Sequence, residues 1–450
     1  MTSASHQSST SPHLPPSPTF GATQQMLRWL SRPFDLLREC SEQLGDAFTL
    51  DFGSHGTYVL FSRPDTIKAI FTASATKLHA GKGNSVLLPL LGPGSLLLLE
   101  EDRHLRERRL LLPAFHTRRM EACAAMIRDA AIEACGAWAA GDEVVIQDAM
   151  QRMSLTVILR AVLGAGPGTG PDDELGRRFH AFWNDPRFNL TSLGQLSEDL
   201  DNAAWTRFRQ SVAEVDGLLF EEIARRRSRL DPGASDMLGM LLEARYEDGS
   251  SLDDAAVRDE LMTLLATGYE TTATALAWAF HWLHQEPATL ARLRAEIGPN
   301  PTAALGLPRP DYLRAVCAET LRIHPILPMV ARQVQEPVEL QGYLIPRGVT
   351  VAPCIYLAHH RADVFAEPDR FRPERFLGRE YSIHEYLPFG GGSRRCLGVA
   401  LVFHEMRIVL STVLSRYELA PIGRPVRPVR RTLTLAPSGG TRMQILRKLF

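Results

Sequence analysis

The sequence predicts a mainly α-helical protein with small β-sheets, folded as one large domain over residues 20–450. Helical periodicity dominates, because apolar residues recur every three to four positions along most of the chain. Stretches with this pattern include 118–140, 150–163, 206–230 and 397–416, besides one discussed below. Strand signals cluster in residues 46–62 and 338–355, where β-rich runs flank turns that contain glycine. With 45% hydrophobic and 22% charged residues and no internal repeat, the chain can bury an ample core.

The balance of charged residues and the positions of the cysteines argue against several classes of protein. The 50 Lys+Arg residues nearly balance the 51 Asp+Glu residues, and this net charge of −1 argues against a nucleic-acid-binding protein. The six cysteines are scattered and form no C-x-x-C pair, so a zinc module or thioredoxin-type motif is not supported. Such cysteines fit a reducing compartment. We therefore expect a cytoplasmic protein, and we expect it to be a monomer.

Two segments bear on targeting. Residues 1–19 are rich in Ser, Thr and Pro and have neither a basic nor an apolar region, so we expect a disordered tail rather than a signal peptide. The most apolar stretch, residues 86–99, is too short to span a bilayer and is interrupted by proline and glycine. The sequence thus predicts no membrane anchor.

One predicted helix is much longer than the others. It starts at Ser251, which has the side chain of an N-cap, and stops before Pro287. About 35 residues at 1.5 Å per residue would span about 50 Å, enough to cross a domain. Its middle, residues 267–272 (TGYETT), contains poor helix formers where the helix has no reason to end. This pattern indicates either a functional site or a helix that is kinked or tightly packed at Gly268, and the sequence leaves both open.

The most informative segment is residues 389–398, FGGGSRRCLG. Its three glycines can adopt positive φ and let the backbone approach a flat ligand closely. Cys396 stands at the start of the predicted helix 397–416, beside Arg394 and Arg395. The helix dipole and both cations would favour the thiolate. A thiolate on a glycine-rich loop suits a single soft axial ligand of a haem iron.

This segment resembles the haem-binding signature of the cytochrome P450 superfamily, F-x-x-G-x-R-x-C-x-G, at every fixed position. Three further family motifs follow the expected order. Residues 267–272 fit the oxygen-activation motif [AG]-G-x-[DE]-T-[TS] except at its first position, residues 319–322 (ETLR) are the E-x-x-R motif, and residues 373–376 are P-E-R-F. The resemblance spans about residues 30–440. It implies a soluble bacterial-type protein with haem b buried between the long central helix and the helix after Cys396.

The resemblance also assigns residues to the haem. Cys396 would be the axial thiolate ligand and metal ligand. The other residues matching cofactor-binding positions are Phe389 and Arg394 in the cysteine loop, His104 and Arg108 in an H-x-x-x-R arrangement, and Arg332. The four basic residues would meet the haem propionates. Glu319, Arg322 and Arg375 match a family triad that braces the cysteine loop, so we expect a structural role for them.

The implied reaction is monooxygenation. Glu270 and Thr271 resemble the acid–alcohol pair that delivers protons to dioxygen, and Gly268 would allow a widened groove for the oxygen. Thr267 departs from the usual Ala or Gly, which leaves the geometry of the groove open. One oxygen atom of O₂ would enter an apolar C–H or C=C bond. Electrons would come from NAD(P)H through a separate ferredoxin and ferredoxin reductase, since we find no appended flavin or iron–sulfur domain. Positive charge for docking an acidic partner would come from Arg379, Arg394, Arg395 and Arg407.

Two alternatives remain at this point, together with a choice of substrate. One is a peroxide-dependent enzyme of the same fold, and the other is a non-enzymatic haem-thiolate protein that binds a ligand or acts as a sensor. Family analogy places the pocket in mostly apolar segments, so the substrate could be a fatty acid, terpenoid, steroid or polyketide. These segments are 79–99, 179–208, the helix around Met262, Leu265 and Ala266, 326–330 and 436–440. Lys82 and Arg187 are the ambiguous candidates for anchoring a substrate carboxylate.

Overall fold

The computed structural model describes residues 13–115, 123–164, 169–185, 203–229, 236–298, 311–432 and 434–449. The longer helices are Ala22–Ser31, Pro33–Leu44, Pro64–Thr72, Glu101–Leu111, Ala124–Cys135, Ile146–Leu163, Glu174–Trp183, Ala203–Arg227, Asp254–Gln285, Pro287–Ile297, Asp311–Ile323 and Val399–Arg416. The shorter ones are Ala80–Gly83, Leu88–Leu91, Met237–Glu243 and Ile355–His359. The architecture is mainly helical with small sheets, which confirms the predicted fold class.

The strands of the described residues form four small sheets. They are β1 Ala47–Asp51, β2 Thr57–Phe61, β3 Leu78–His79, β4 Glu143–Val145, β5 Arg332–Val334, β6 Val338–Leu340, β7 Tyr343–Ile345, β8 Thr350–Pro353, β9 Tyr417–Pro421, β10 Pro428–Arg431, β11 Thr434–Pro437 and β12 Arg442–Lys448. The largest sheet has the order β1-β2-β8-β5-β3, and the others are β4-β12-β9, β10-β11 and β6-β7. Strands β1 and β2 form the predicted hairpin, with Ala47 opposite Phe61. The second predicted strand region divides between the β6-β7 hairpin and β8, which pairs in parallel with β2.

Part of the predicted N-terminal tail is ordered. Residues 1–12 lie outside the described residues, but His13 bridges to Leu344 and stacks on the Tyr343 ring, with ring centroids 5.5 Å apart. The carbonyl of Pro15 accepts a hydrogen bond of 2.7 Å from the Thr49 hydroxyl. Residues 13–15 are therefore held against the sheets, at variance with the expected disorder of the whole segment.

The helix Asp254–Gln285, called the central helix here, crosses the middle of the molecule. It begins three residues later than predicted, because the Asp253 side chain rather than Ser251 caps it by accepting the Ala256 amide. It packs against the helices Ile146–Leu163 and Val399–Arg416, and apolar clusters surround it. No helix among the described residues is long and apolar enough to cross a membrane.

The central helix passes without a break through its predicted weak point. A Cβ atom on Gly268 would lie 2.7 Å from Cδ1 of Ile158, so the absence of a side chain lets the helix Ile146–Leu163 approach closely. Tight packing at Gly268, one of the two interpretations left open, is thus present. Residues 254–285 form one continuous α-helix, so the helix does not end where the groove is expected.

Candidate haem-thiolate site

Cys396 lies in a closed loop just before the helix Val399–Arg416, called the cysteine helix here. Its amide donates a 3.0 Å hydrogen bond to the Phe389 carbonyl. The residue is accessible at its surface, and yet enough protein surrounds the thiol that burial raises its pKa. The accessibility of the residue and the burial of its thiol are compatible if the sulfur faces an internal space, where a ligand can reach it and bulk water is scarce.

The direction of this pKa shift corrects the sequence-based expectation of a favoured thiolate. Burial outweighs the three effects that lower the pKa of Cys396, which are the Gly398 amide and the charges of Arg108 and Arg395. The helix also begins at Val399, farther from the sulfur than predicted. Coordination to a metal ion deprotonates a thiol outright, so the thiolate at this position depends on the metal rather than on the loop.

The glycines of the loop make room for a phenylalanine. Gly390 and Gly392 have positive φ angles of 64° and 65°, as predicted. A Cβ atom on Gly391 would overlap the Phe71 ring, and one on Gly392 would overlap the Phe71 carbonyl oxygen. The close approach that these glycines allow is therefore to the helix Pro64–Thr72. The Phe389 ring packs on Phe403 of the cysteine helix, with centroids 5.6 Å apart.

The central helix exposes a small patch in its middle. Every residue from Val257 to Phe280 is buried except Thr267, Gly268 and Thr271, which share one helical face because of their i, i+1, i+4 spacing. The Thr271 hydroxyl donates to the Thr267 carbonyl over 2.7 Å, and the Thr267 hydroxyl donates in the same way to Thr263. The hydroxyl proton of Thr267 is thus used within the helix. The Thr271 oxygen keeps its acceptor lone pairs on the accessible face.

Glu270 occupies a different face and is 1% exposed. Its Oε2 accepts a hydrogen bond of 2.9 Å from Nε1 of Trp183, and its Oε1 lies 3.8 Å from Nε of Arg431. A buried carboxylate needs such partners, because burying an unpaired charge is costly. Thr271 and Glu270 are adjacent in the sequence but differ in environment, because Thr271 is accessible and Glu270 is enclosed by protein.

The structure brings the four predicted propionate-binding residues together. His104, Arg108, Arg332 and Arg394 lie close enough that burial, followed by the charges of the three arginines, lowers the pKa of His104 to about 3. His104 is therefore neutral. Burial and the charge of Arg394 likewise lower the pKa of Arg332 to about 10. A counter-charge comes from Glu100, whose Oε2 lies 2.6 Å from Nη2 of Arg394.

This cluster fits a dianionic ligand. Three guanidinium groups and the Glu100 carboxylate leave two uncompensated positive charges among these residues, and a haem carries two propionates. Arg108 also donates a 2.7 Å hydrogen bond to the carbonyl of Arg395, the residue before the cysteine. The cation cluster and the thiol thus lie close together, and this set of donors fits a haem with a thiolate ligand.

The expected triad forms next to the site. Glu319 and Arg322 have fully buried side chains and are joined by two hydrogen bonds of 2.7 and 2.8 Å. Nε of Arg375 lies 3.1 Å from the same carboxylate. Glu319 also accepts the backbone amide of Arg372 at 2.8 Å, so it fixes the turn before P-E-R-F.

A residue that the sequence analysis missed connects this triad to the cysteine loop. His359 is fully buried, and its Nδ1 lies 3.1 Å from the Arg322 carbonyl. Its Nε2 accepts the Leu387 amide at 2.9 Å, which fixes the neutral tautomer with the proton on Nδ1. Burial accordingly holds the pKa of His359 well below its usual value. No local pattern distinguishes His359 from its neighbour His360 in the sequence.

The fold and the site together define a haem-thiolate protein. The family model described as Cytochrome P450 matches residues 12–442, so the chain belongs to the cytochrome P450 family, whose general activity is haem-thiolate monooxygenation. The chain is 37% identical over 435 residues to the protein named "Putative cytochrome P450 135B1" of Mycobacterium tuberculosis (strain ATCC 25618 / H37Rv), covering 96% of this chain and 91% of that one. It is 32% identical to "Putative cytochrome P450 137" of the same strain, covering 94% and 86%.

Two solved structures share the fold. Cyanobacterial CYP120A1, solved with bound retinoic acid, superposes with a TM-score of 0.85 at 24% identity, covering 97% of this chain and 99% of that chain. The haem domain of cytochrome P450DA superposes with a TM-score of 0.83 at 23% identity, covering 96% and 97%. Both similarities support the mainly helical fold with small sheets described above.

Proposed function

We propose that this protein hydroxylates or epoxidises an apolar small molecule, a fatty acid, terpenoid, steroid or polyketide. One atom of O₂ enters the substrate, the other leaves as water, and NAD(P)H supplies two electrons through a ferredoxin and a ferredoxin reductase. The observation that carries the proposal is the central helix, which leaves Thr271 accessible while it encloses the acid Glu270. This pairing favours proton-coupled use of O₂ over the peroxide-dependent and ligand-binding alternatives.

Each residue of the site would have its own role in the proposed reaction. Haem b would supply oxygen activation, and it would be held by the Cys396 sulfur and by Arg108, Arg332 and Arg394, whose guanidinium groups would bind the propionates. Neutral His104 would donate a hydrogen bond to a propionate and adds no charge to the cluster. The Thr271 hydroxyl accepts a hydrogen bond from water on the accessible face, and Glu270 exchanges protons between this region and solvent. Glu270 would take up and release protons, Thr271 would orient water through its hydroxyl oxygen, and neither would bond covalently to the substrate.

The apolar character of the proposed substrate rests on the cluster beside the central helix. Met262, Leu265 and Ala266 are buried there, together with Leu90 and Leu96 of the segment that precedes the helix Glu101–Leu111. Lys82, one of the two ambiguous anchors for a carboxylate, is exposed, and its Nζ donates to Gln335 at 2.6 Å. Arg187, the other, lies outside the described residues. The segments that family analogy places around the pocket are therefore apolar, which supports an apolar substrate.

A ferredoxin would dock on the cysteine side. Arg395 is exposed next to Cys396 and suits an acidic partner. Arg394, one of the arginines expected on this surface, is instead paired with Glu100 inside the cation cluster. Arg379 pairs with Glu385 over 3.2 Å. We therefore expect Arg395→Gln to slow reduction by ferredoxin at low salt more than Arg379→Gln does.

The first experiment is a titration of the purified holoprotein with lauric acid, a sesquiterpene, a steroid and a macrolide, following the Soret band. A blue shift with one class identifies a ligand that displaces water from the iron, and turnover with ¹⁸O₂, NADPH, ferredoxin and reductase then tests insertion of a labelled oxygen atom. A labelled product supports the proposal. A ligand that shifts the band but is never oxygenated under these conditions, and is oxygenated with hydrogen peroxide alone, contradicts it.

A further inference from the structure

A cation on the β10-β11 sheet faces the buried acid of the central helix. Arg431, the last residue of β10, places Nε 3.8 Å from Oε1 of Glu270. Its Nη2 donates hydrogen bonds of 2.8 Å to Gln151 and 2.6 Å to Asn184. The side chain of Arg431 is 35% exposed, whereas that of Glu270 is 1% exposed. Arg431 therefore spans the distance from solvent to the acid.

The other carboxylate oxygen is held from the helix Glu174–Trp183. Trp183 donates through Nε1 to Oε2 of Glu270 at 2.9 Å. Asn184, which accepts from Arg431, donates in turn to the hydroxyl of Tyr269 at 2.9 Å and to the His180 carbonyl at 3.0 Å. Arg431 is thus fixed by partners on two other elements, so its position is not that of a mobile surface arginine.

We infer that Arg431 and Trp183 are positioning residues for Glu270, and that the Arg431 side of the carboxylate is the point where protons enter from solvent. This inference rests on the proposed function, in which Glu270 exchanges protons. An adjacent cation favours the ionised carboxylate, and an indole N–H is a donor that does not titrate. Together they keep the acid oriented and ready to accept a proton.

Two other titratable side chains near Glu270, His180 and Tyr269, are uncharged near pH 7, so they do not replace Arg431 as the positive charge beside the carboxylate. Burial, followed by the charges of Arg152 and Arg431, lowers the pKa of His180, so its imidazole is neutral near pH 7. Burial raises the pKa of Tyr269, so its phenol keeps its proton. Asp148 is the remaining charge that acts on both of these side chains. Among these groups, Arg431 is the cation in an ion pair with Glu270.

The test needs no organic substrate, because O₂ itself can be reduced. The holoenzyme is supplied with NADPH, a ferredoxin and its reductase, and the hydrogen peroxide formed per NADPH is measured across a range of pH. Reduction of O₂ to water consumes twice as much NADPH per O₂ as reduction to peroxide and depends on delivered protons. The limb of the pH profile that disappears in Glu270→Gln belongs to Glu270.

We expect Arg431→Gln to raise the peroxide yield severalfold and to move the Glu270 limb to higher pH, because loss of the cation raises the carboxyl pKa. Arg431→Lys should restore most of both, and adding Arg431→Gln to Glu270→Gln should change little. The matched control is Arg427→Gln, which removes a charge from an exposed residue just before the same strand. Thermal unfolding and the carbon monoxide spectrum check that each variant is folded and loaded.

The outcomes separate the two proposals. If Glu270→Gln changes the profile and Arg431→Gln leaves it unchanged, the positioning role is wrong and the proposed function stands. If Glu270→Gln itself behaves like the parent protein, the relay in the proposed function is wrong. Should Arg431→Gln fail to load haem, Trp183→Phe removes the donor to Oε2 while it keeps an aromatic ring beside Phe179 and Tyr269, and an unchanged peroxide yield in that variant overturns the inference.

Discussion

Replacing Glu319 by Gln perturbs the most deeply buried charge cluster in the described part of the chain. The carboxylate accepts four hydrogen bonds, two from Arg322, one from Arg375 and one from the backbone amide of Arg372. Glutamine has nearly the same shape but carries no charge, and its NH₂ group cannot accept. The substitution therefore leaves the Arg322 guanidinium buried without a counter-ion.

The magnitude follows from this burial. The side chains of Glu319 and Arg322 are 0% exposed, and breaking a buried pair by removing one partner costs about 3–5 kcal/mol. That is a large part of a typical unfolding free energy of about 5–15 kcal/mol. Glu374→Gln is the matched control in the neighbouring P-E-R-F turn, since Glu374 pairs with Arg292 over 3.0 Å with both side chains about half exposed. An exposed pair contributes no more than about 1 kcal/mol.

The assay is urea unfolding of the holoprotein, followed by far-ultraviolet circular dichroism and by the Soret band. We expect Glu319→Gln to unfold at a much lower urea concentration than the parent protein and to lose haem before the helices melt, because Glu319 and Arg322 support the cysteine loop through His359. Glu374→Gln should stay close to the parent. Equal midpoints for the two variants would refute the reasoning, since they would mean that the buried charge of Arg322 costs nothing.

Three further predictions concern the site and the acid stability. Cys396→His should abolish the thiolate-type Soret band of the reduced carbon monoxide complex, and an unchanged band would mean that another residue binds the iron. Thr271→Ala should raise the hydrogen peroxide released per NADPH while Thr272→Ala, a buried neighbour, should not; coupled turnover in Thr271→Ala would remove this residue from the relay. Burial lowers the pKa of His281 to about 4, so the unfolded state binds its proton first, and this contribution to stability is lost as pH falls from about 6.5 to 4. His281→Gln should therefore make the unfolding free energy less dependent on pH in that range, as measured by urea titrations; an unchanged slope would show that His281 is not buried neutral.

The features that the sequence predicts well are those carried by short spacings. The pairing of Glu319 with Arg322 depends on one turn of helix, and the loop before Cys396 depends on consecutive residues. The sequence predicts the bounds of the central helix to within three residues, because proline and capping side chains mark its ends. The grouping of His104 with Arg332 and Arg394 came from the resemblance and not from any local pattern.

Features that depend on distant packing could not be predicted. Phe71 fills the space that the loop glycines leave, although it lies more than 300 residues earlier in the chain. Arg431 and Trp183 meet Glu270 from two other elements, and each is unremarkable in its own segment. Burial raises the pKa of Cys396, whereas the sequence predicts that it is lowered. The amount of protein around a thiol depends on the tertiary structure and cannot be read from the charges next to it in the sequence.

The weak middle of the central helix has a physical explanation in these contacts. Successive residues of a helix point about 100° apart, so Glu270 lies on a different face from Gly268 and Thr271. Gly268 admits Ile158, Glu270 meets Trp183 and Arg431, and Thr271 belongs to the accessible patch. A glycine in a helix costs about 1 kcal/mol relative to alanine, and threonine costs less than that. Burial of the helix on nearly all sides offsets this cost, so the segment remains helical. The residue types in its middle are therefore explained by their contacts and not by helix propensity.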